Sequence, residues 1–320
     1  KPNGERPKMT IYGLDADLIV LSMALNIRHV KLLREPQNAS IELAQYHDTD
    51  FLFLDIDKVT DALISEYGLS HYDRCSVVDD FMLFSFFGGN DFVDPFLHTK
   101  MRDRGLDKLF VAYKNALVKH GHLLIDKKLN FDTLVDMLNT VSSTEDVACR
   151  KLQSRQFSSI HKSEPVKNVR TNEEQFAYDM QKYEHLYYTN RENPFNSYYR
   201  QIINNIDCRK PHIEWRNAYN TEFFKSTNID TVCTDYIKCI KWTLSYYFDS
   251  TCPSWLWVYA FRNSPLCSDL CTFLKQFDAK TFQTFWDNLS FPKDSPLTPV
   301  QQLLAVLPPQ NSGLLPFAFQ

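Results

Sequence analysis

The sequence predicts an α/β fold: a mainly parallel sheet flanked by helices, followed by a helical region rich in aromatic residues. Short apolar strands alternate with amphipathic helices from Thr10 to about Val141, which is typical of a parallel sheet with crossover helices. From Trp215 to Phe291 the periodicity is mostly helical, and the stretch between these parts is polar. We therefore predict an α/β part at 1–141, a polar, partly helical or mobile insertion at 142–211, and a helical, aromatic-rich region at 212–320.

Hydrophobic periodicity and stop signals define the elements of the first region. Alternating apolar residues indicate strands, and apolar residues spaced three to four apart indicate helices. The Gly88-Gly89 pair is a stop signal for the most apolar helix. The predicted strands are Thr10–Leu14, His29–Leu33 and Phe51–Ile56. The predicted helices are Asp17–Asn26, Asp57–Tyr67, Val77–Phe87, Leu106–Lys119 and Phe131–Val141.

Composition disfavours several classes of protein. With 44% apolar and 23% charged residues, the 320-residue chain has the balance of a globular protein that buries a core. A net charge of −4 argues against a histone-like binder of nucleic acid, but it allows an enzyme whose acidic metal site offsets a basic groove. Only 8 glycines are present, and neither G-x-G-x-x-G nor G-x-x-x-x-G-K-S/T occurs, which disfavours dinucleotide-binding and P-loop enzymes.

The sequence also carries signals about location. No apolar run approaches the roughly 20 residues of a membrane span, and no signal peptide opens the chain. The 8 cysteines form no C-x-x-C pair, so we expect a reduced protein of the cytoplasm or nucleus. Cys267 and Cys271 lack a second pair of zinc ligands and are interpreted as core residues. The first residue is Lys1, which indicates a piece of a longer chain.

Two carboxylates follow the first predicted strand. Asp15 and Asp17 are two residues apart, so in an extended chain their side chains point to one side. Ligands of open α/β sheets bind beyond the carboxyl ends of the strands, and Mg²⁺ prefers oxygen ligands of this kind. The alternative is that Asp17 only caps the following helix, which is a common use of Asp. A D-x-D pair alone does not decide between these interpretations.

A third acid follows the predicted apolar helix. Asp91 comes directly after Gly88, Gly89 and Asn90, and glycines let the backbone turn sharply there. We expect its carboxylate near the interior, where an unpaired charge is costly. Its partner is then either a metal ion or a basic side chain such as Arg102 or Arg104.

Four further acids are interpreted as parts of helices. Asp55 and Asp57 form a second D-x-D pair that directly precedes a predicted helix. Asp79 and Asp80 are interpreted as acids near the N-terminus of the apolar helix. This leaves one set of three acids that could hold one or two metal ions, as in two-metal phosphodiester hydrolysis: Asp15, Asp17 and Asp91.

Several blocks of the sequence match the motifs of one known protein family. In the first region these are GLDADLI, the run from Asp80 ending in GGNDF, and RDRGLDKL. Further on, WTLSYYF, PSWLW and SPLCSDL resemble the family's W-x-L-x-Y-Y-Y, P-S-W-x-W and A-P-x-x-S-D signatures. Finally, PVQQLLAVLPP resembles its segment P-x-x-Q-L-x-A-V-L-P. Together these blocks resemble the Xrn family of 5′→3′ exoribonucleases. They follow that family's order across nearly the whole chain, which makes the match specific.

The resemblance implies a PIN/FEN-like nuclease core in which residues 1–141 carry the metal-site acids and residues 212–320 complete the catalytic part. It implies that Asp15, Asp17 and Asp91 are catalytic ligands of Mg²⁺, with Mn²⁺ as the other suitable ion. It also implies RNA contacts from Trp255, the first tryptophan of PSWLW, and we add Arg102 and Arg104 as RNA-binding residues. The alternative for Trp255 is a core aromatic.

The implied activity is processive 5′→3′ hydrolysis of single-stranded RNA that carries a 5′-monophosphate, down to mononucleotides. The family's remaining metal-binding acids and its basic 5′-phosphate pocket belong to a segment before GLDADLI that these residues do not contain. We therefore expect an incomplete sheet, no activity of the isolated chain, and a partner segment from the same or another polypeptide.

Two other functions compete with this interpretation. The first is a catalytically inactive single-stranded RNA-binding or scaffold module that keeps the nuclease fold, although three intact acids weigh against it. The second is a structure-specific flap nuclease with the same metal chemistry, which the PSWLW and LAVLPP blocks do not fit.

Overall fold

The computed structural model describes residues 8–35, 51–162, 171–180, 206–225, 227–249, 251–261 and 263–319. Helices predominate within this part of the chain, and the strands are few and short. The strands are β1 (Met9–Tyr12), β2 (Val30–Arg34), β3 (Leu52–Asp55), β4 (Leu124–Ile125) and β5 (Lys128–Leu129). The helices are α1 (Asp17–Ala24), α2 (Ile56–Glu66), α3 (Arg74–Ser85), α4 (Gly105–His120), α5 (Phe131–Ser142), α6 (Glu145–Lys162), α7 (His212–Phe224), α8 (Ile229–Asp249), α9 (Cys267–Leu274), α10 (Ala279–Asn288) and α11 (Pro299–Val306).

The three strands β1, β2 and β3 form a mixed sheet, so the described residues do not show the mainly parallel sheet that was predicted. Strand β1 pairs with β2 in parallel, and β2 pairs with β3 antiparallel. The parallel pair is connected by α1, the crossover helix that a parallel connection usually contains. Strands β4 and β5 form a separate antiparallel hairpin.

Both faces of the mixed sheet carry apolar side chains. The register aligns Ile11, Leu32 and Leu54 in one row, and these side chains are buried or half-buried in the core. The neighbouring row on the other face aligns Tyr12, Leu33 and Phe53. Tyr12 is 61% exposed and Phe53 is 62% exposed, so this second face is open to solvent.

Capping residues set the starts of the helices near the sheet. Asp55 accepts a hydrogen bond from the backbone N–H of Lys58 at the start of α2, which agrees with its interpretation as a helix start. Asp73 likewise accepts a hydrogen bond from the backbone N–H of Ser76 at the start of α3. Helix α3 lies in the centre of the main core, where nearly all its side chains from Val77 onward are buried.

Two buried carboxylates join the later helices. Glu145 accepts hydrogen bonds from the backbone N–H groups of Cys267 (2.7 Å) and Ser268 (3.1 Å) at the N-terminus of α9, a favourable place for a carboxylate. Asp269 pairs with Arg216 of α7. The SPLCSDL block therefore fastens α9 to α6 and α7.

The predicted boundaries at residues 141 and 211 stay predictions. Cys267 and Cys271 are buried thiols, as expected for core residues. None of the helices in the described part of the chain is long and apolar enough to cross a membrane.

Candidate functional site

The two acids of the D-x-D pair lie at the junction of β1 and α1. Asp17 is the first residue of α1, and the N-cap position is taken by Ala16, so the helix-cap interpretation of Asp17 is wrong. The backbone N–H of Asp17 instead donates to Oδ1 of Asp15 at 3.0 Å. The Asp17 carboxylate is thereby left for contacts outside its own helix.

A tyrosine from a distant helix contacts Asp17. The hydroxyl of Tyr247, near the end of α8, donates to Oδ2 of Asp17 at 3.1 Å across 230 positions of sequence. Partial burial raises the pKa of the Asp17 carboxyl, and the charges of Asp91 and Asp15 raise it further, while the hydrogen bond from Tyr247 lowers it. Asp15 and Asp91 therefore both lie within electrostatic reach of Asp17.

Asp91 lies in a tight turn after α3 and is exposed, which corrects the expectation of a carboxylate near the interior. The turn begins at Gly89, whose φ of 95° favours glycine. The side-chain oxygen of Asn90 then accepts the N–H groups of Phe92 (2.9 Å) and Val93 (2.8 Å). This turn directs the backbone outward, so that the helix end is buried while Asp91 reaches solvent.

Aromatic rings of α8 pack against this turn. The Phe92 ring lies 5.1 Å from that of Trp242 and 6.3 Å from that of Tyr247, measured between centroids. Trp242 and Tyr246, one helical turn apart, stack at 5.3 Å. Tyr247 also stacks on Phe86 at 5.4 Å. These contacts hold the Asp91 turn, α8 and Asp17 in one fixed arrangement.

The PSWLW segment forms the opposite side of the site. Trp255 is 55% exposed, so the interpretation of this residue as a core aromatic is wrong. Trp257 is half-buried and packs edge-on against Phe291 at 5.2 Å. The indole N–H of Trp242 donates to the carbonyl of Ser254 at 2.9 Å, which ties this segment to α8.

A cavity of about 340 Å³ lies between the Asp91 turn and the PSWLW segment. Half of the residues that line it are aromatic, and two are aspartates. The principal lining residues are Asp91, Asp94, Trp242, Trp255, Trp257 and Tyr259. Such a wall is suited to a ligand that combines flat rings with a charged or metal-binding part.

Of the two predicted basic residues, Arg104 is not among those that line this cavity. Arg104 is at the start of α4 with a φ of 58°, and its side chain is 89% exposed and 3.4 Å from Asp107. The backbone of Arg102 is part of a short 3₁₀ turn, while its side chain lies outside the described part of the structure. The RNA-binding role of both stays a prediction.

The chemistry of the three acids suits a divalent cation, but the set is incomplete. Carboxylate oxygens are the ligands that Mg²⁺ and Mn²⁺ prefer. Among the described residues, however, no three His, Cys, Asp or Glu side chains are grouped closely enough to hold a metal ion. A metal in this place therefore requires ligands in addition to those that the described residues assemble.

Carboxylates can hold the metal ions of phosphodiester hydrolysis, and aromatic faces can stack on bases, so this arrangement is compatible with a protein that processes nucleic acids. Residues 71–204 and 213–320, more than half of the chain, match the family model of the Xrn1 helical domain. The chain belongs to the Xrn family, which confirms the resemblance seen in the sequence blocks.

Curated relatives match over nearly the whole chain. It is 26% identical to 5′-3′ exoribonuclease 1 of Homo sapiens, with 97% of this chain and 19% of that protein aligned. It is 23% identical to 5′-3′ exoribonuclease 1 of Schizosaccharomyces pombe, over 97% of this chain and 30% of that protein. For 5′-3′ exoribonuclease 2 of Yarrowia lipolytica the identity is 23%, over 97% and 40%. The chain thus spans about a fifth to two fifths of the length of these relatives.

Two features of the site were not found by sequence reasoning. The role of Tyr247 at Asp17 was missed because a contact across 230 positions leaves no local spacing. The second feature is the stacked pair of Trp242 and Tyr246. Their spacing is a signal that could have indicated it, since residues four apart share a helix face.

Proposed function

We propose that this chain supplies part of the active site of a 5′→3′ exoribonuclease that hydrolyses 5′-monophosphorylated RNA processively to mononucleotides. One observation carries the proposal: in a chain of the Xrn family, Asp91 lines the same cavity as the exposed Trp255, and both Asp91 and Asp15 lie within electrostatic reach of Asp17. One of the three acids and an exposed aromatic side chain therefore face the same cavity.

Asp15, Asp17 and Asp91 would contribute oxygen ligands to Mg²⁺ or Mn²⁺. When bound, such an ion supplies an activated water and stabilises the leaving oxygen at the scissile phosphate. The residues of this chain have their own tasks. Tyr247 holds the Asp17 carboxylate by its hydrogen bond, and the turn at Gly89 and Asn90 presents Asp91 to the cavity.

Trp255 would stack on a base of single-stranded RNA. Stacking of a base on an aromatic side chain contributes about 1–3 kcal/mol and tolerates any sequence, as an exonuclease requires. Arg102 and Arg104 would contact phosphates. The cavity beside Trp255 is large enough for a nucleobase and is walled by Trp242, Trp257 and Tyr259.

The complete active site would need a further polypeptide segment, from the same or another chain. This proposal is supported by the ligand set, which is incomplete among the described residues, and by the open apolar row on the mixed sheet. Sheets with apolar residues on both faces are usually covered on both faces. The added segment would complete a mainly parallel, PIN/FEN-like core, and the isolated 320-residue chain would be inactive.

We also infer a reducing compartment, the cytoplasm or the nucleus. The 8 cysteines are all free thiols in the structure.

The experiment compares Asp17→Asn with the unchanged protein, using the full-length protein that contains this chain. Degradation of single-stranded RNA with a 5′-monophosphate or a 5′-triphosphate is followed in Mg²⁺ and after chelation. We expect the unchanged protein to shorten only the monophosphate RNA, from its 5′ end, and to stop on chelation. Asp17→Asn should slow hydrolysis by more than the roughly 10- to 100-fold that outer-shell changes at metal sites cost.

The matched control is Asp132→Asn, the same change at an exposed acid of α5 that does not line the cavity. It should leave the rate unchanged. An unchanged rate in Asp17→Asn would contradict the proposal.

An RNA-binding module without hydrolysis is the second candidate, favoured by the lack of a three-ligand group among the described residues. It predicts that the full-length protein binds single-stranded RNA and leaves it uncut in Mg²⁺ and Mn²⁺. Binding would then depend on Trp255 and not on Asp17.

A further inference from the structure

The carboxylate of Asp294, in the loop between α10 and α11, binds the backbone of the PSWLW segment. Its Oδ1 accepts the N–H of Trp255 at 2.6 Å, and its Oδ2 accepts the N–H of Leu256 at 3.1 Å and the hydroxyl of Ser254. Three donors from three consecutive residues thus converge on one carboxylate. Nothing in the sequence blocks indicates this contact, because Asp294 lies 39 positions from Trp255.

Other contacts fix the residues on both sides of Trp255. The hydroxyl oxygen of Ser254 accepts the N–H of Trp257 at 3.1 Å. The Trp257 ring packs against Phe291, and Nζ of Lys238 lies 5.1 Å and 5.2 Å from the centroids of these two rings. The segment is therefore anchored through its backbone and through Trp257. The Trp255 side chain itself remains 55% exposed.

We propose that Asp294 is a positioning residue for RNA binding, which fixes the backbone on either side of Trp255 so that its indole ring is held ready to stack on a base at the cavity. This inference rests on the proposed function, since it acts through an RNA contact of Trp255. An exposed ring on a loose loop would lose conformational entropy when it stacks, and a loop ordered beforehand avoids that loss.

The geometry requires a carboxylate. Each of its two oxygens accepts at least one hydrogen bond, and all three partners are donors. An asparagine offers one oxygen and one NH₂ group, so at least one donor would face another donor. Asp294→Asn should therefore loosen the segment although the size of the side chain is kept.

The test measures dissociation constants for a single-stranded RNA oligomer, on the full-length protein and without divalent metal so that the RNA stays uncut. The variants are Asp294→Asn, Trp255→Ala and the double variant. Asp287→Asn, on the exposed side of α10, is the matched control for the loss of a negative charge. An abasic oligomer of the same length serves as the ligand that cannot stack.

We expect Trp255→Ala to weaken RNA binding by roughly 5- to 150-fold, the range of one stacked base. Asp294→Asn should weaken it by about fivefold or more, and by less than about twofold when Trp255 is already alanine, because residues that act through one contact are not additive. Neutralising an acid alone favours binding of a polyanion, so Asp287→Asn should leave affinity unchanged or slightly higher. Binding of the abasic oligomer should not depend on Asp294.

Two results would overturn the inference in distinguishable ways. If Trp255→Ala leaves affinity unchanged, the proposed contact of Trp255 with RNA fails, and the role of Asp294 fails with it. If Trp255→Ala weakens binding but Asp294→Asn has no effect, or the same effect in both backgrounds, only the positioning role fails. Should Asp294→Asn not fold, Ser254→Ala removes the hydroxyl that donates to Asp294 and accepts from Trp257, and it keeps both backbone bonds to Asp294. It should weaken binding of RNA but not of the abasic oligomer.

Discussion

Asp80 is a fully buried acid of α3 that holds three other groups. Its Oδ2 accepts from the hydroxyl of Tyr113 (2.6 Å) and contacts Nδ1 of His122 (2.7 Å), and its Oδ1 accepts the N–H of Leu124 (2.7 Å). The interpretation of Asp80 as an ordinary acid near a helix start is therefore wrong. A buried charge is tolerated when it is paired and hydrogen-bonded, and Asp80 meets both conditions.

The contact with Asp80 makes stability depend on the protonation of His122. The hydrogen bond from His122 to Asp80 raises the pKa of His122, against partial burial. Because the folded-state pKa exceeds the unfolded value, the protonated histidine stabilises the fold fully below the unfolded pKa of about 6.5, and the contribution is lost as pH rises through the folded-state pKa. His122→Gln should therefore reduce the free energy of unfolding more at about pH 5.5 than at about pH 8.5.

Urea unfolding across this pH range measures the effect. His120→Gln is the control, because His120 is an exposed histidine of the same region that lies 3.6 Å from Asp136. The difference in free energy of unfolding between His120→Gln and the unchanged protein should vary less with pH. If the loss of free energy of unfolding in His122→Gln is constant or grows with pH, this linkage is ruled out.

Among the helices, α4 begins at a glycine for which no other residue fits. A Cβ atom added to Gly105 would lie 1.7 Å from the carbonyl oxygen of Thr99 and 2.0 Å from its carbonyl carbon. These are backbone atoms, and the Thr99 hydroxyl is itself bonded to the carbonyl of Phe87. The start of α4 is therefore pressed against the chain that follows the Asp91 turn.

Gly105→Ala should force α4 away from this chain. We expect the free energy of unfolding to fall by at least about 1–3 kcal/mol, the usual cost of overpacking. Gly313→Ala is the control, since an added Cβ there meets nothing within 4 Å and should change stability by less than about 0.5 kcal/mol. Thermal unfolding compares the two variants, and equal melting temperatures would contradict the close contact at Gly105.

For single helices, the sequence predicts the position well, because the signals that define a helix lie within it and at its ends. The helix expected at Asp57–Tyr67 is found at Ile56–Glu66, and the one expected at Phe131–Val141 is found at Phe131–Ser142, because periodicity and capping residues mark them. The antiparallel pairing of β3 was not predicted, since pairing depends on the connection and not on the strand. The same limit applies to the site, where the acids come from motifs but the bond from Tyr247 to Asp17 joins distant parts of the chain.

The mixed sheet of β1, β2 and β3 has two apolar faces, and the described residues cover one of them. Tyr12, Leu33 and Phe53 lie in register on the open face, and the Tyr12 ring contacts Phe51, which is 49% exposed. An open row of aromatic side chains on a sheet is an interaction surface or an aggregation liability. The proposed further segment of the nuclease core would cover this row.

This proposal predicts opposite effects of one change in two settings. In the isolated 320-residue chain, Phe53→Ser should reduce binding of a hydrophobic dye and aggregation without loss of stability, because it removes exposed apolar surface. In the full-length protein the same change should lower the free energy of unfolding by about 1.5–3 kcal/mol, because the ring would then be buried against the added segment.

Val118→Ser on α4 is the control: Val118 is 69% exposed and lies away from the sheet, so its replacement should be neutral in the full-length protein. If Phe53→Ser is equally neutral there, the open face of the sheet is not where the rest of the nuclease core binds, and the incomplete metal site must be completed from another side.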